Sequence, residues 1–100
     1  NSGLSAAAPV EAAAATAMAG SAFTQVVNGR FKGGWITRHY GHPADHVHAL
    51  QMEIALSAYL ADEAPPWTFD AARAASLQSA LSPMIEAALA AATKLERTKP

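Results

Sequence analysis

The chain contains no cysteine, so no disulfide framework can hold it together, and a reducing, cytoplasmic setting is expected. It also lacks an excess of either charge: seven Lys and Arg stand against eight Asp and Glu, for a net charge of -1. A nucleic-acid partner, which calls for a strongly basic face with exposed aromatics, is therefore not expected. No long apolar run is present, because Glu11, Gln51 and Glu53 interrupt the apolar stretches. A membrane span is not expected either. Large apolar side chains are scarce as well. Hydrophobic residues make up 51% of the 100, yet 26 are alanine, and Leu, Ile, Val and Phe together number 18. So short a chain excludes a second independent domain and buries only a modest share of its surface. Residue 1 is Asn, and nothing near it has the charged, apolar and small-residue order of a signal peptide. The expectation is a folded piece whose N-terminal part is missing.

What is present is patterned. Pro9 before an alanine-rich run, with Gly20 beyond it, predicts a helix over Pro9–Ala19. Phe23 to Asn28 is β-branched and aromatic and closes on the turn pair Asn28-Gly29, which predicts a strand. Trp35 to Tyr40 reads as a second strand, ended by Gly41 and Pro43, and His42 to His46 as a loop. Val47 to Leu56 is the third strand in this reading, and Leu56 to Leu60 a short helical stretch ended by Ala64-Pro65-Pro66. Asp70 suits the N-cap of a long last helix, whose stripe is Leu77, Leu81, Met84, Ala88, Ala92 and Leu95. Pro83 lies inside that stripe and predicts a kink or break near Ser79 to Ser82, and the charged tail Glu96 to Pro100 is expected to fray.

Few residues suggest chemistry. In an extended Val47 to Ile54, Val47, Ala49, Gln51 and Glu53 share one face, and His48, Leu50, Met52 and Ile54 the other. A carboxylate late in an apolar strand suits proton transfer if it is partly buried; the plain alternative is an ion pair or an exposed edge. No acidic residue occurs between Glu11 and Asp45, whereas Arg30, Lys32 and Arg38 cluster there. That local cationic surface fits a small anionic ligand, with the forks of Arg30 and Arg38 suited to carboxylates; a structural or solvated role is the alternative. His39, His42, His46 and His48 crowd into ten residues but form no metal-binding frame on a helix, so no metal ligand is assigned here.

The run Asn28-Gly29-Arg30-Phe31-Lys32-Gly33-Gly34-Trp35-Ile36-Thr37-Arg38-His39-Tyr40-Gly41, followed by Val47-His48-Ala49-Leu50-Gln51-Met52-Glu53, closely resembles the C-terminal signature of N-formylglutamate amidohydrolases. Weaker similarity takes in Asn1-Ser2-Gly3 and Pro65-Pro66-Trp67. The resemblance implies an α/β fold, the C-terminal portion of a zinc-carboxypeptidase-like (phosphorylase/hydrolase-like) sandwich around a mixed sheet. Residues 1–100 are then the C-terminal part of a single amidohydrolase domain. The implied activity is hydrolysis of N-formyl-L-glutamate to formate and L-glutamate, the last step of one bacterial route of histidine breakdown. A divalent metal, zinc by preference, is implied as cofactor, held by residues upstream of this segment, so the segment alone is expected to be inactive. Glu53 takes the place of the acid/base glutamate. Arg38, Arg30 and His39 are implied to contact the substrate, and His48 is a further guess for a contact to substrate or to Glu53. Hydrolysis of another N-acyl amino acid, or a non-catalytic binding module of the same fold, are the alternatives.

Overall fold

Alanine is the strongest helix former, and Pro at a first turn loses no helical hydrogen bond, so the N-terminal run is helical as its composition demands. The computed structural model describes residues 2–97. Helix α1 spans Ala8–Ala19, with Gly20 at its C-cap. Its buried residues Val10, Ala14 and Met18 recur at intervals of four, which places them on one face. That face packs on α3, the long last helix Ala71–Arg97, in the main contact between elements.

Helix α3 begins as predicted. The Asp70 carboxylate accepts a hydrogen bond from the Arg73 amide at 3.0 Å, satisfying one of the free donors of the first turn. All six residues of the predicted stripe, Leu77, Leu81, Met84, Ala88, Ala92 and Leu95, are half-buried. The expected interruption near Ser79 to Ser82 is not found, because α3 runs unbroken through Pro83. Proline removes a single backbone bond, and burial of the stripe on either side of it, at Leu81 and Met84, offsets that loss. Glu96 and Arg97 are helical rather than frayed; the rest of the predicted fraying tail, residues 98–100, lies outside the described residues. At 27 residues, α3 is about 40 Å long and sets the long axis of a molecule measuring 53 × 25 × 17 Å.

The α/β expectation is corrected by the structure: among the described residues there is no mixed sheet and no sandwich around one. Among the described residues there is no strand, only the isolated bridges His42–Val47 and Leu60–Phe69. Strand propensity needs a neighbour over several residues to become a ladder, and among the described residues the predicted strands have at most the single bridge His42–Val47. Phe23 to Asn28 is irregular and is tied to α1 instead, through the Gln25 side-chain amide donating to the Ala15 carbonyl at 2.8 Å. Trp35–Tyr40 is helix α2, one and a half turns long. The Thr37 hydroxyl donates to the Gly34 carbonyl at 2.9 Å, and Thr37 is buried. Trp35 and His39, four residues apart, stack on the helix surface. In the Val47 to Ile54 stretch, the amides of Leu50 to Ile54 make no backbone hydrogen bond among the described residues. The predicted helical stretch Leu56 to Leu60 is a single 3-10 turn over Leu56–Ala58. Arg73 fastens this turn to α3 by donating to the carbonyls of Leu60 at 2.7 Å and Ser57 at 3.3 Å.

The buried apolar set among the described residues is small: Ala6, Val10, Ala14, Met18, Leu60 and Ala74. No helix of the described residues is long and apolar enough to cross a membrane.

The N-terminal segment crosses the turn after α2 at close range. A Cβ added to Gly41 would lie 2.5 Å from the Ser5 carbonyl oxygen and 2.6 Å from the Ser5 Cα, whereas one on Gly20 would meet only the Ala17 carbonyl, at 3.6 Å. Gly41 has an ordinary φ of -72°, so its lack of a side chain answers this crowding and not backbone strain. Gly41→Ala is expected to cost about 1–3 kcal/mol, the scale of overpacking. Gly20→Ala, at a compatible backbone conformation, is expected to be neutral or stabilising by up to about 1 kcal/mol. Denaturant midpoints of the two variants check the contrast.

Candidate functional site

A cleft of about 880 Å³ opens between the irregular segments and the two long helices. The loop from Phe23 to Gly33 forms one wall, the extended stretch Ala49 to Ala55 another, and Ala14 and Met18 of α1 with Leu77, Leu81 and Met84 of α3 the apolar floor. Two cations, Arg30 and Lys32, and two carboxylates, Glu11 and Glu53, line it.

The loop wall is held by Asn28. Its φ of 51° is left-handed, a conformation that asparagine tolerates better than most residues. Its side chain spans two segments: the carbonyl accepts from the Ser2 amide at 3.1 Å, and the amide donates to the Glu11 carboxylate at 3.2 Å. Glu11 lies in the first turn of α1, where its charge also suits the helix terminus. Beyond Asn28 the Arg30 guanidinium stacks over the Phe31 ring, 5.8 Å from its centroid. Neither Arg30 nor Lys32 has an ion-pair partner among the described residues, where the one salt bridge joins Arg73 and Asp70.

The second wall is held by Ser5. Its carbonyl accepts from the Ala49 amide at 2.8 Å, and its hydroxyl donates to the Ala49 carbonyl at 2.8 Å. Next to it the Ala7 amide donates to His48 Nδ1 at 3.0 Å. This bond puts the ring proton of neutral His48 on Nε2, which is buried without a hydrogen-bond partner among the described residues. His48 is thus engaged with the N-terminal segment and does not line the cleft. Further along, the Gln51 side-chain amide donates to the Glu53 carboxylate at 2.7 Å. Residues two apart share a face in an extended chain, so the alternation expected of a strand survives here without a ladder. Glu53 is exposed, not partly buried as the strand reading required.

The structure therefore brings Glu53 and Arg30 together and sets Arg38 and His39 apart. Arg38 is exposed in the last turn of α2 and does not line the cleft. His39 stacks on Trp35 with ring centroids 4.2 Å apart and meets Tyr40 edge-on at 4.7 Å. Ser5, Lys32 and Gln51 were not singled out as site residues from the sequence. Of these, Lys32 alone carried a signal, as a member of the acid-free cationic stretch. Asn28 was legible as a turn residue but not as the link between Ser2 and Glu11.

Among the described residues no group of three or more His, Asp and Glu is placed to hold a metal ion, so His39, His42, His46 and His48 do not fit a metal centre.

The family model described as N-formylglutamate amidohydrolase matches residues 1–60, which include both walls of the cleft. The chain belongs to this family. It is 48% identical over 68 residues to the N-formylglutamate deformylase of Pseudomonas putida, covering 68% of this chain and 25% of that protein. To the N-formylglutamate deformylase of Pseudomonas aeruginosa it is 43% identical over 76 residues, covering 76% of this chain and 28% of that one. The amidohydrolase segment thus spans about a quarter of the length of the curated relatives it matches. No solved structure matches it significantly.

Asn28→Gly removes both side-chain bonds while keeping a residue at ease with positive φ, whereas Asn28→Ala loses the bonds and adds strain. The expected losses are about 1–2 kcal/mol for Gly and more for Ala, since each such bond contributes roughly 0.5–1.5 kcal/mol. Chemical denaturation of both variants, with amide shifts of residues 28–34 as the local readout, checks this.

Proposed function

We propose that this segment supplies the substrate-facing side of an enzyme that hydrolyses N-formyl-L-glutamate to formate and L-glutamate. The observation that carries the reading is that Arg30 and Glu53 line one cleft inside the part of the chain that matches the family. The names of the two relatives support the same activity.

The chemistry follows from the side chains. Arg30, its plane held over Phe31, offers a free fork to a carboxylate of the substrate. Glu53 accepts a proton from the attacking water as the C–O bond forms at the formyl carbon. It then delivers that proton to the amide nitrogen as the C–N bond breaks, leaving formate and the free amine. Gln51 fixes the Glu53 carboxylate from one side and leaves its remaining lone pairs open to the cleft. Arg38 and His39 stand on α2 outside this cleft, and the reading gives them no contact with a ligand held there. The divalent metal implied by the family resemblance would be held by residues upstream of this segment, and no step here runs through it.

The apolar side chains left exposed along both walls, among them Val26, Val27, Phe31, Leu50, Met52 and Ile54, are covered in this reading by the remainder of an amidohydrolase domain. The 100-residue segment alone is then inactive. The absence of cysteine suits the cytoplasm, where histidine breakdown would use this step.

Glu53→Gln keeps the size of the side chain and removes the proton acceptor. In a chain carrying the whole domain it is expected to lower turnover of N-formylglutamate by about 10²-fold or more, with the melting temperature unchanged. Turnover and melting measured on one preparation decide the point. A stable variant with full turnover rejects the role given to Glu53, and a parent chain that releases no formate rejects the reaction.

A further inference from the structure

Lys32 is left over by the reading above. It lines the cleft with Arg30, two residues along an irregular segment, so their Cα atoms are no more than about 7 Å apart. Neither cation has a carboxylate partner among the described residues, although two carboxylates line the same cleft. Glu11 is turned to Asn28, and Glu53 to Gln51. Two neighbouring cations repel, and a ligand carrying two negative groups relieves that repulsion better than one carrying a single group. Phe31 between them carries the Arg30 guanidinium on its ring and gives the ligand an apolar stem to lie on.

We propose that Lys32 is a specificity-determining residue of this cleft: with Arg30 it forms a two-point clamp for a dicarboxylate, one carboxylate on each cation. This rests on the deformylase reading for the identity of the substrate, and it goes further in naming the pair that selects a dicarboxylate over a monocarboxylate. It also assigns the second carboxylate to Lys32 in place of Arg38, which does not line the cleft.

The test is a titration of an isotopically labelled chain carrying the whole domain with glutarate and with butyrate, following the amides of residues 29–34. The wild type is expected to prefer glutarate by about tenfold or more, on the scale of a charge pair lost from an interface. Lys32→Ala and Arg30→Ala should each bring the preference to within about twofold, Lys32→Arg should retain it, and Arg38→Ala should leave it intact. Lys32 is exposed, so an unchanged amide spectrum elsewhere is expected and shows that its variants are folded. The proposal is overturned if the wild type shows no preference, if the preference survives Lys32→Ala, or if Arg38→Ala removes it instead. Formate release from N-formylglutamate, assayed separately in a chain carrying the whole domain, keeps the two readings apart. Dicarboxylate preference without hydrolysis retains the clamp and removes the deformylase, and hydrolysis with a preference indifferent to Lys32 does the reverse.

Discussion

The paired hydrogen bonds between Ser5 and Ala49 are the constraint on which the rest of the site depends. Both polar groups of Ser5 that face Ala49 are used, the carbonyl as acceptor and the hydroxyl as donor, each at 2.8 Å. Ser5 is buried, so leaving either group unpaired would expose it to the full cost of desolvation. The same residue presses against Gly41, and two residues further on the Ala7 amide meets His48. Three stretches far apart in sequence, the N-terminus, the turn after α2 and the extended wall that carries Glu53, are therefore fixed at one point. The position of Glu53 follows from Ala49 through four residues of extended chain, without any sheet to support it.

The opposite wall is built by different means. There the link runs through side chains: Asn28 joins the Ser2 amide to Glu11 on α1, and α1 is held by α3. Because Ser2 and Ser5 belong to one short segment, the two walls share an anchor. A disturbance at the N-terminal segment would thus move Arg30 and Glu53 together, whereas one at Asn28 would move Arg30 alone. The helices contribute a platform of alanine and a few larger residues, enough to give the cleft a floor but not a deep core.

How much of this could be read from the sequence varied with how local the physics is. The helix over Pro9–Ala19, the Asp70 cap and the stripe from Leu77 to Leu95 depend on near neighbours, and the structure has all three. The predicted strands failed because a strand needs a partner over several residues: among the described residues Phe23 to Asn28 pairs with none, and Val47 to Ile54 has only the Val47 bridge to His42 and the Ala49 bonds to Ser5. Trp35 to Tyr40 failed for a second reason. Its β-branched and aromatic residues fit a strand, but Trp35 and His39 are also placed to stack at helical spacing, and Thr37 closes the first turn onto Gly34. The family resemblance rested on residues 28–53 and was recovered by the comparison. Which of its charged residues share a cleft was not legible, because the answer depends on Trp35–Tyr40 folding as helix α2, whose Arg38 does not line the cleft.

The geometry of the extended wall connects these points. Residues 50–54 have amides that make no backbone hydrogen bond among the described residues, alternate apolar with polar side chains, and expose Leu50, Met52 and Ile54. Each feature alone is tolerable at a surface, since single exposed apolar residues are common and water can satisfy a free amide. Their coincidence in one stretch is less easily tolerated, because an apolar strip beside unpaired backbone groups favours association with other protein. Two polar residues lie in that strip, Gln51 and Glu53, joined to each other and lining the cleft. A carboxylate in such a strip also discourages association with other protein. Its place in a cleft that Arg30 and Lys32 also line, on a wall fixed by Ser5, is what supports the proposal that a small acid is bound and acted upon there.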